Sequence, residues 1–294
     1  MIVVDGLGKR FGDIWALDSV TFSVDGGRVV SVLGPNGAGK TTLVRILITE
    51  LLPTKGRAEV AGLDVVKDAE RLRERIAAVP QEGSPIGFLT PLEFVYAYLL
   101  LRGYPRREAR RRALEALDSL ELREVKDREI QTLSGGTKRR VMLAAVLAAD
   151  ADVVFLDEPT TGLDVISRRM VWNAISAMRD GGATILLTTH YVEEAQMLSD
   201  VVVLLNRGKV VDVGPPGALV EKVPGRYVVE AYMPGEPPIP PHIAIGGRAI
   251  YFVDKPEEVA GKLVDAGARV GIRPKSLEDY VILKMGYEQG GEDS

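Results

Sequence analysis

Residues 34–42 read Gly-Pro-Asn-Gly-Ala-Gly-Lys-Thr-Thr and follow the apolar run Val29-Val30-Ser31-Val32-Leu33. That pattern marks a loop whose backbone N–H groups cradle phosphate, set between a strand and a helix expected to begin near Lys40. Gly34, Gly37 and Gly39 allow a tight nest of inward-pointing donors, filled out by Pro35, Asn36 and Ala38. The positive end of the helix faces the same hollow. Lys40 has the reach for outer phosphates, and the hydroxyl of Thr41, next to Thr42, has the chemistry to hold a magnesium ion. The alternative is a glycine-rich turn with no ligand; the strand-then-helix setting weighs against it.

A second group of residues could complete that chemistry. The apolar strand Val153-Val154-Phe155-Leu156 delivers Asp157 and Glu158 at its carboxyl end, where parallel sheets bind ligands. An aspartate there can hold magnesium beside the Thr41 hydroxyl. Glu158 has the chemistry to polarise an attacking water. Leu133-Ser134-Gly135-Gly136-Thr137 offers Ser134 as the cap of a helix expected from Thr137 to Leu147, with bare N–H groups at both glycines. Alone, a Ser-Gly-Gly is weak; its setting gives it weight.

These residues need elements to position them. Strands are expected at Ile2–Val4, Val20–Val24, Arg57–Val60 and Ile76–Val79, and a helix from Lys40 to Leu51, ended by Pro53 and Gly56. Residues 91–149 turn helical. Arg106–Leu120 carries Ala113, Leu114, Leu117 and Leu120 on one face, with arginines beside them paired to Glu108 and Glu115. The strand–helix alternation then resumes: after Val153–Leu156 come a helix at Ile166–Arg179 and strands at Ala183–Thr189 and Val201–Leu205. This implies parallel crossover units and an α/β class. Past about residue 224, Pro234, Pro237, Pro238, Pro240 and Pro241 mark irregular chain among strands at Arg226–Tyr232, Ala249–Phe252 and Ala268–Ile272. Helices are expected at Pro256–Ala266 and Ser276–Met285. The tail 288–294 is polar and reads as disordered.

Composition narrows the function classes. Hydrophobic content of 46% suits a globular chain with ample core. No apolar stretch has the length of a membrane span, and no basic leader or apolar signal core opens the chain, so a cytosolic location is expected. A net charge of −4 argues against general nucleic-acid binding. The absence of cysteine excludes thiol nucleophiles and disulfides, and His190 and His242 lack metal spacing.

Taken together, residues 1–222 resemble the ATPase subunit of ABC transporters. The Walker A motif is Gly34–Thr42, the glutamine loop Pro80-Gln81-Glu82, the signature Leu133–Thr137 and Walker B Val153–Glu158. The D-loop is Thr161-Gly162-Leu163-Asp164, and the switch histidine closes Thr188-Thr189-His190. The resemblance implies a P-loop NTPase core with an N-terminal antiparallel β subdomain and an α-helical subdomain inserted at about 86–150. A small α+β accessory domain at 223–287 would follow. It implies that Lys40 binds the β- and γ-phosphates of ATP. Thr41, Gln81 and Asp157 would serve the Mg2+ shell, Glu158 would act as general base, and His190 would touch the γ-phosphate. Phe11 sits where the family places an adenine-stacking aromatic; Trp15 is a rival, and a core role is open to either. Two departures stand out: Thr137 replaces a frequent Gln, and Phe11 a frequent Tyr. Ser134, Gly135 and Gly136 keep the groups expected to meet phosphate.

The same resemblance implies a working pair. With one motif set, this chain would join itself or a similar ATPase subunit head to tail, each signature covering ATP held by the other copy, and Asp164 would act across the boundary. A separate transmembrane permease subunit would dock near the glutamine loop, among Ile86, Phe88, Leu89, Phe94, Tyr96 and Tyr98, and hold the chain at the cytoplasmic face of the membrane. Residues 135–140, 189–195 and Ser276-Leu277-Glu278-Asp279-Tyr280 look most like the ABC-2 exporter group, which includes daunorubicin-resistance-type ATPases. The alternatives are an importer ATPase and a soluble ATP-driven switch. The single motif set and the lack of sustained heptads between Lys40 and Ser134 weigh against the switch.

Overall fold

The structure is a computed structural model that describes residues 1–81, 83–233, 235–245 and 247–286. The tail expected to be disordered, 288–294, lies outside the described residues, as do Glu82 of the glutamine loop and Pro234. The chain forms two compact units, the first Met1–Val213 and the second beginning at Gly214.

The first unit is built on a six-stranded sheet. Its strands are β3 (Val29–Leu33), β6 (Ile76–Val79), β7 (Val153–Asp157), β8 (Thr184–Thr189), β9 (Val201–Asn206) and β10 (Lys209–Gly214), in the order β10-β9-β3-β8-β7-β6. From β9 through β6 the neighbours run parallel. Every residue of β3, β7 and β8 is buried. Strands covered on both faces need continuous apolar runs, which is why Val29–Leu33 and Val153–Leu156 do not alternate. A second sheet is antiparallel: β1 (Ile2–Phe11), β2 (Ile14–Val24), β4 (Lys55–Val60) and β5 (Leu63–Asp64), ordered β2-β1-β4-β5. Helix α1 (Lys40–Leu47) follows β3, and Leu43, Ile46 and Leu47 pack with Val30, Val32, Leu17 and Val20 in one core.

The helical segment comprises α3 (Pro91–Leu101), α4 (Arg106–Ser119) and α5 (Gly135–Ala148), after the short α2 (Ala69–Arg75). Val95, Leu99, Ala113, Leu117, Val141 and Leu143 join Ala77, Val154 and Leu156 in a second core. Arg111 pairs with Glu115 and Arg112 with Glu108, each at 2.8 Å. Helices α6 (Val165–Asp180) and α7 (Val192–Leu198) link β7, β8 and β9.

The structure departs from the sequence reading at several elements. β2 starts at Ile14 instead of Val20, α5 starts at Gly135 instead of Thr137, and β10, β12 and α8 are additional. Two further departures show their cause. β1 runs on past Val4 to Phe11 because Gly6, at φ 56°, absorbs an irregularity between Val4 and Leu7 that lets the pairing with β2 continue. α1 stops at Leu47 instead of Leu51. Thr49 turns to φ 68°, and the Arg73 Nε donates to its hydroxyl at 2.7 Å.

The second unit starts upstream of the 222/223 boundary that composition suggested, since α8 (Pro216–Glu221) packs with α10 (Leu277–Met285). Its antiparallel sheet is ordered β12-β13-β11-β14, from β11 (Tyr227–Tyr232), β12 (Ile243–Ile245), β13 (Arg248–Val253) and β14 (Arg269–Pro274). Leu263 of α9 (Pro256–Asp265) packs on Val229, Ala231 and Tyr251.

Candidate functional site

The phosphate loop leaves β3 and enters α1 through Gly39, whose φ of 102° only glycine adopts readily. A Cβ there would also stand 2.4 Å from the carbonyl oxygen of Ala16. Gly34 is needed for a different reason: its Cβ would lie 2.2 Å from the Leu205 carbonyl oxygen at the end of β9. The loop therefore lies pressed between β2 and β9. Residues Asn36–Thr42 line a cleft of about 290 Å³ together with Ala16, Gln81 and Glu158.

Lys40 is 5% exposed, and its Nζ donates to the carbonyl oxygens of Gly34 at 2.8 Å and Pro35 at 3.1 Å. The same ammonium is 3.4 Å from Glu158 Oε1. Two buried charges so placed satisfy each other while leaving the lysine at the mouth of the loop. Glu158 Oε2 accepts from the Thr161 hydroxyl at 3.2 Å and lies 3.4 Å from His190 Nδ1. Lys40, Glu158, Thr161 and His190 thus meet around one carboxylate. Glu158 reaches them from a left-handed backbone, φ 48°.

The other oxygen donors lie beside this group. Thr41 Oγ1 donates to Gln81 Oε1 at 3.3 Å, so the glutamine loop closes over the start of α1. Thr188, fully buried on β8, donates its hydroxyl to Asp157 Oδ1 and accepts the Glu158 N–H at 3.0 Å. One threonine thereby holds both carboxylate residues at the strand end. A hydroxyl, an amide oxygen and a carboxylate are hard donors of the kind magnesium takes.

Ser134 caps α5, its hydroxyl accepting from the Thr137 N–H at 3.2 Å and meeting the Thr137 hydroxyl at 2.8 Å. Among the described residues, no hydrogen bond or ion pair joins Ser134, Gly135 or Gly136 to loop 34–42. Asp164 caps α6, accepting from Ile166 N at 3.0 Å and Ser167 N at 2.9 Å. The Ser167 N–H and hydroxyl hold its carboxyl below the usual range. Phe11 ends β1 opposite Ile14 and is 48% exposed. Trp15 adjoins Ala16 of the cleft, under Lys55 at 4.6 Å from its ring centre. Both aromatics remain candidates for a base.

Three contributors escape the motif reading. Thr188 entered it only as a neighbour of His190. Arg139 reaches the ends of β6 and β7. Glu194, 1% exposed on α7, accepts from Thr160 Oγ1 at 2.9 Å and Trp172 Nε1 at 3.1 Å, tying the chain after His190 to the turn after Glu158. Each is an ordinary residue type whose partners lie far off in sequence.

A phosphate loop opening a helix at the carboxyl end of a parallel sheet, with a carboxylate pair on the strand two places away, defines a nucleoside triphosphatase. Residues 17–161 match the ABC transporter family. The chain is 41% identical over 218 residues to the daunorubicin/doxorubicin resistance ATP-binding protein DrrA of Streptomyces peucetius, covering 74% of this chain and 66% of that protein. It is 33% identical to the Nod factor export ATP-binding protein I of Ralstonia nicotianae, over 98% of this chain and 94% of that one. A solved ATP-binding subunit of an ABC transporter superposes with a TM-score of 0.69 at 27% identity, covering 76% of this chain and 92% of that one. A dimeric ATP-binding cassette in a post-hydrolysis state, bound to ADP and Pi, gives 0.67 at 27% identity, covering 73% of this chain and 98% of that one. The chain belongs to the ABC transporter family, as an ATP-binding subunit that hydrolyses ATP.

Proposed function

We propose that this subunit energises export through a separate transmembrane permease, working as a head-to-tail pair around two ATP molecules at the cytoplasmic face of the membrane. The pair is either two copies of this chain or one copy with a similar subunit. Among the described residues no helix is long and apolar enough to cross a membrane; in this reading the permease supplies the path for the substrate. Export is supported by relatives named for drug resistance and Nod factor export, and pairing by the dimeric cassettes of like fold.

The observation that carries the chemistry is the Glu158 carboxylate, flanked by Lys40 at 3.4 Å, His190 at 3.4 Å and Thr161 at 3.2 Å beside the loop cleft. In this reading the N–H groups of residues 36–42 bind the phosphates, and Lys40 leaves its loop carbonyls for the β- and γ-oxygens. Glu158 orients and deprotonates the attacking water. His190 donates to the γ-phosphate as charge develops there. Phe11 or Trp15 stacks on adenine. Thr41, Gln81 and Asp157 would hold Mg2+, which neutralises charge on the phosphates when bound. Ser134 and Gly135, exposed at the cap of α5, and the half-buried Gly136 make no hydrogen bond to loop 34–42 of their own copy and are suited to phosphate held by the partner copy. Asp164 fixes the turn that would meet the partner.

Glu158→Gln tests this. Turnover falls about 100-fold or more, the scale of general-base catalysis, while ATP binding survives and an ATP-dependent dimer accumulates in size-exclusion chromatography. Native turnover in that variant would remove Glu158 from the base role.

A further inference from the structure

Arg139 lies on α5 four residues after Gly135, hence on the same face, and the chemistry above gives it no task. Its two terminal nitrogens donate four hydrogen bonds, all to backbone carbonyls of other elements. Nη1 donates to Pro80 at 2.8 Å and Gln81 at 3.1 Å. Nη2 donates to Asp157 at 2.5 Å and Glu158 at 3.0 Å. The acceptors follow β6 and end β7, so one planar fork bridges the glutamine loop and the carboxylate pair. Arg139 Nε is buried with no partner, which leaves the outward fork to do all the bonding. Burial draws the guanidinium pKa down, against the pull of Asp157 and Glu158, and an arginine still stays charged.

The bridge falls where backbone placement matters most. Glu158 stands at φ 48°, a region non-glycine residues seldom occupy, and such a conformation persists only when its surroundings hold it. Thr188 holds its N–H from one side, and Arg139 holds its carbonyl from the other. The second arm grips the carbonyl of Gln81, whose side chain meets Thr41. The helix supplying this fork is the one that Ser134 caps.

We infer that Arg139 is a positioning residue: it sets the Glu158 and Gln81 of its own chain and ties them to the helix that presents Ser134–Gly136. This rests on Glu158 being the general base. A lysine is a single point donor and does not span four carbonyls. A methionine keeps the volume and bonds none.

The test uses Arg139→Met and Arg139→Lys in the full chain, each also combined with Glu158→Gln. Steady-state ATPase, equilibrium binding of a fluorescent ATP analogue and thermal unfolding are measured on all. In the native background, kcat falls about tenfold or more for Met and less for Lys, a misplacement effect, while nucleotide affinity changes by less than about threefold. In the Glu158→Gln background the further loss from Arg139→Met shrinks to about twofold, because residues acting as a unit do not add. Three results would overturn the inference. They are an unchanged kcat, an equal fold-loss in both backgrounds, and a kcat loss matched by lost affinity and a lowered unfolding temperature in both variants. Native turnover by Glu158→Gln alone would instead strike the general-base reading, and shows before Arg139 is touched.

Discussion

Thr188 illustrates how little of this site is held by the residues that would touch nucleotide. It is fully buried, gives its hydroxyl hydrogen to Asp157, and takes the N–H of Glu158 at 3.0 Å. The carbonyl of the same residue takes that N–H at 3.2 Å. Thr188→Val keeps the shape and the strand propensity but removes the hydroxyl. Asp157 then loses its buried donor, while the Glu158 N–H retains the carbonyl. The cost falls on the carboxylate, about 1–3 kcal/mol for a buried polar group left without its partner. Urea denaturation should show that loss, and ATPase should fall with it, since Asp157 and Glu158 share the anchor. Unchanged stability would mean that the hydroxyl contributes nothing net to holding Asp157.

At the level of elements, α10 is the clearest case of a local pattern with a long-range lock. Ser276 and Asp279 form a reciprocal capping box, with the Asp279 carboxylate accepting from Ser276 N at 2.8 Å. Arg273, from β14, adds two bonds of 2.7 Å to the same carboxylate and one of 2.7 Å to Glu230 on β11. Burial pushes the Asp279 carboxyl up, but the Arg273 and Ser276 hydrogen bonds and the Arg273 charge outweigh it, leaving the carboxyl below its ordinary 3.8. A carboxyl lowered by folding stabilises above its unfolded pKa, and the contribution goes as pH falls through the folded value. Asp279→Asn should therefore lower unfolding free energy at pH 7. The gap from the native chain should hold down to about pH 3.8 and narrow below it. Denaturation curves across that range check the sign; a gap that widens in acid would contradict it. Patterns of this local kind were open to sequence reasoning. The Ser134 cap, the run Val153–Leu156 and the phosphate-loop spacing each follow from a few adjacent residues, and the sheet of parallel strands follows from their alternation with helices. What stayed hidden depends on distant partners. Nothing near Arg139 names Pro80 or Glu158 as acceptors. Nothing near Thr49 shows that Arg73 will hold the turn that ends α1 early. The strand expected at Ile2–Val4 stops short of Asp5 and Gly6, and only the pairing with β2 carries it on to Phe11 through an irregularity between Val4 and Leu7.

For the molecule as a whole, the question is where an ATPase without a spanning helix among its described residues would meet the permease proposed above. The apolar segment after Gln81 divides by burial. Leu89, Leu92, Phe94, Tyr96 and Tyr98 pack against the helical core, and so are occupied. Phe88 is 74% exposed and Ile86 48% exposed, in the turn between the glutamine loop and α3. Gly87 is held there by the Gln131 N–H, which donates to its carbonyl at 2.8 Å, so the two apolar side chains are borne on an anchored turn. The turn follows a few residues after Gln81, whose side chain meets Thr41 at the nucleotide cleft. Phe88→Glu places a charge on that surface without touching the core. The isolated variant should bind ATP, hydrolyse it and unfold as the native chain does, each within about twofold, as surface changes away from packed sites commonly do. Co-purification with the proposed permease should be lost, because a buried unpaired carboxylate at an apolar contact costs far more than the contact gains. Full assembly by the variant would move the docking site away from residues 86–88. Lost ATPase in the isolated chain would show instead that the turn shapes the nucleotide cleft itself.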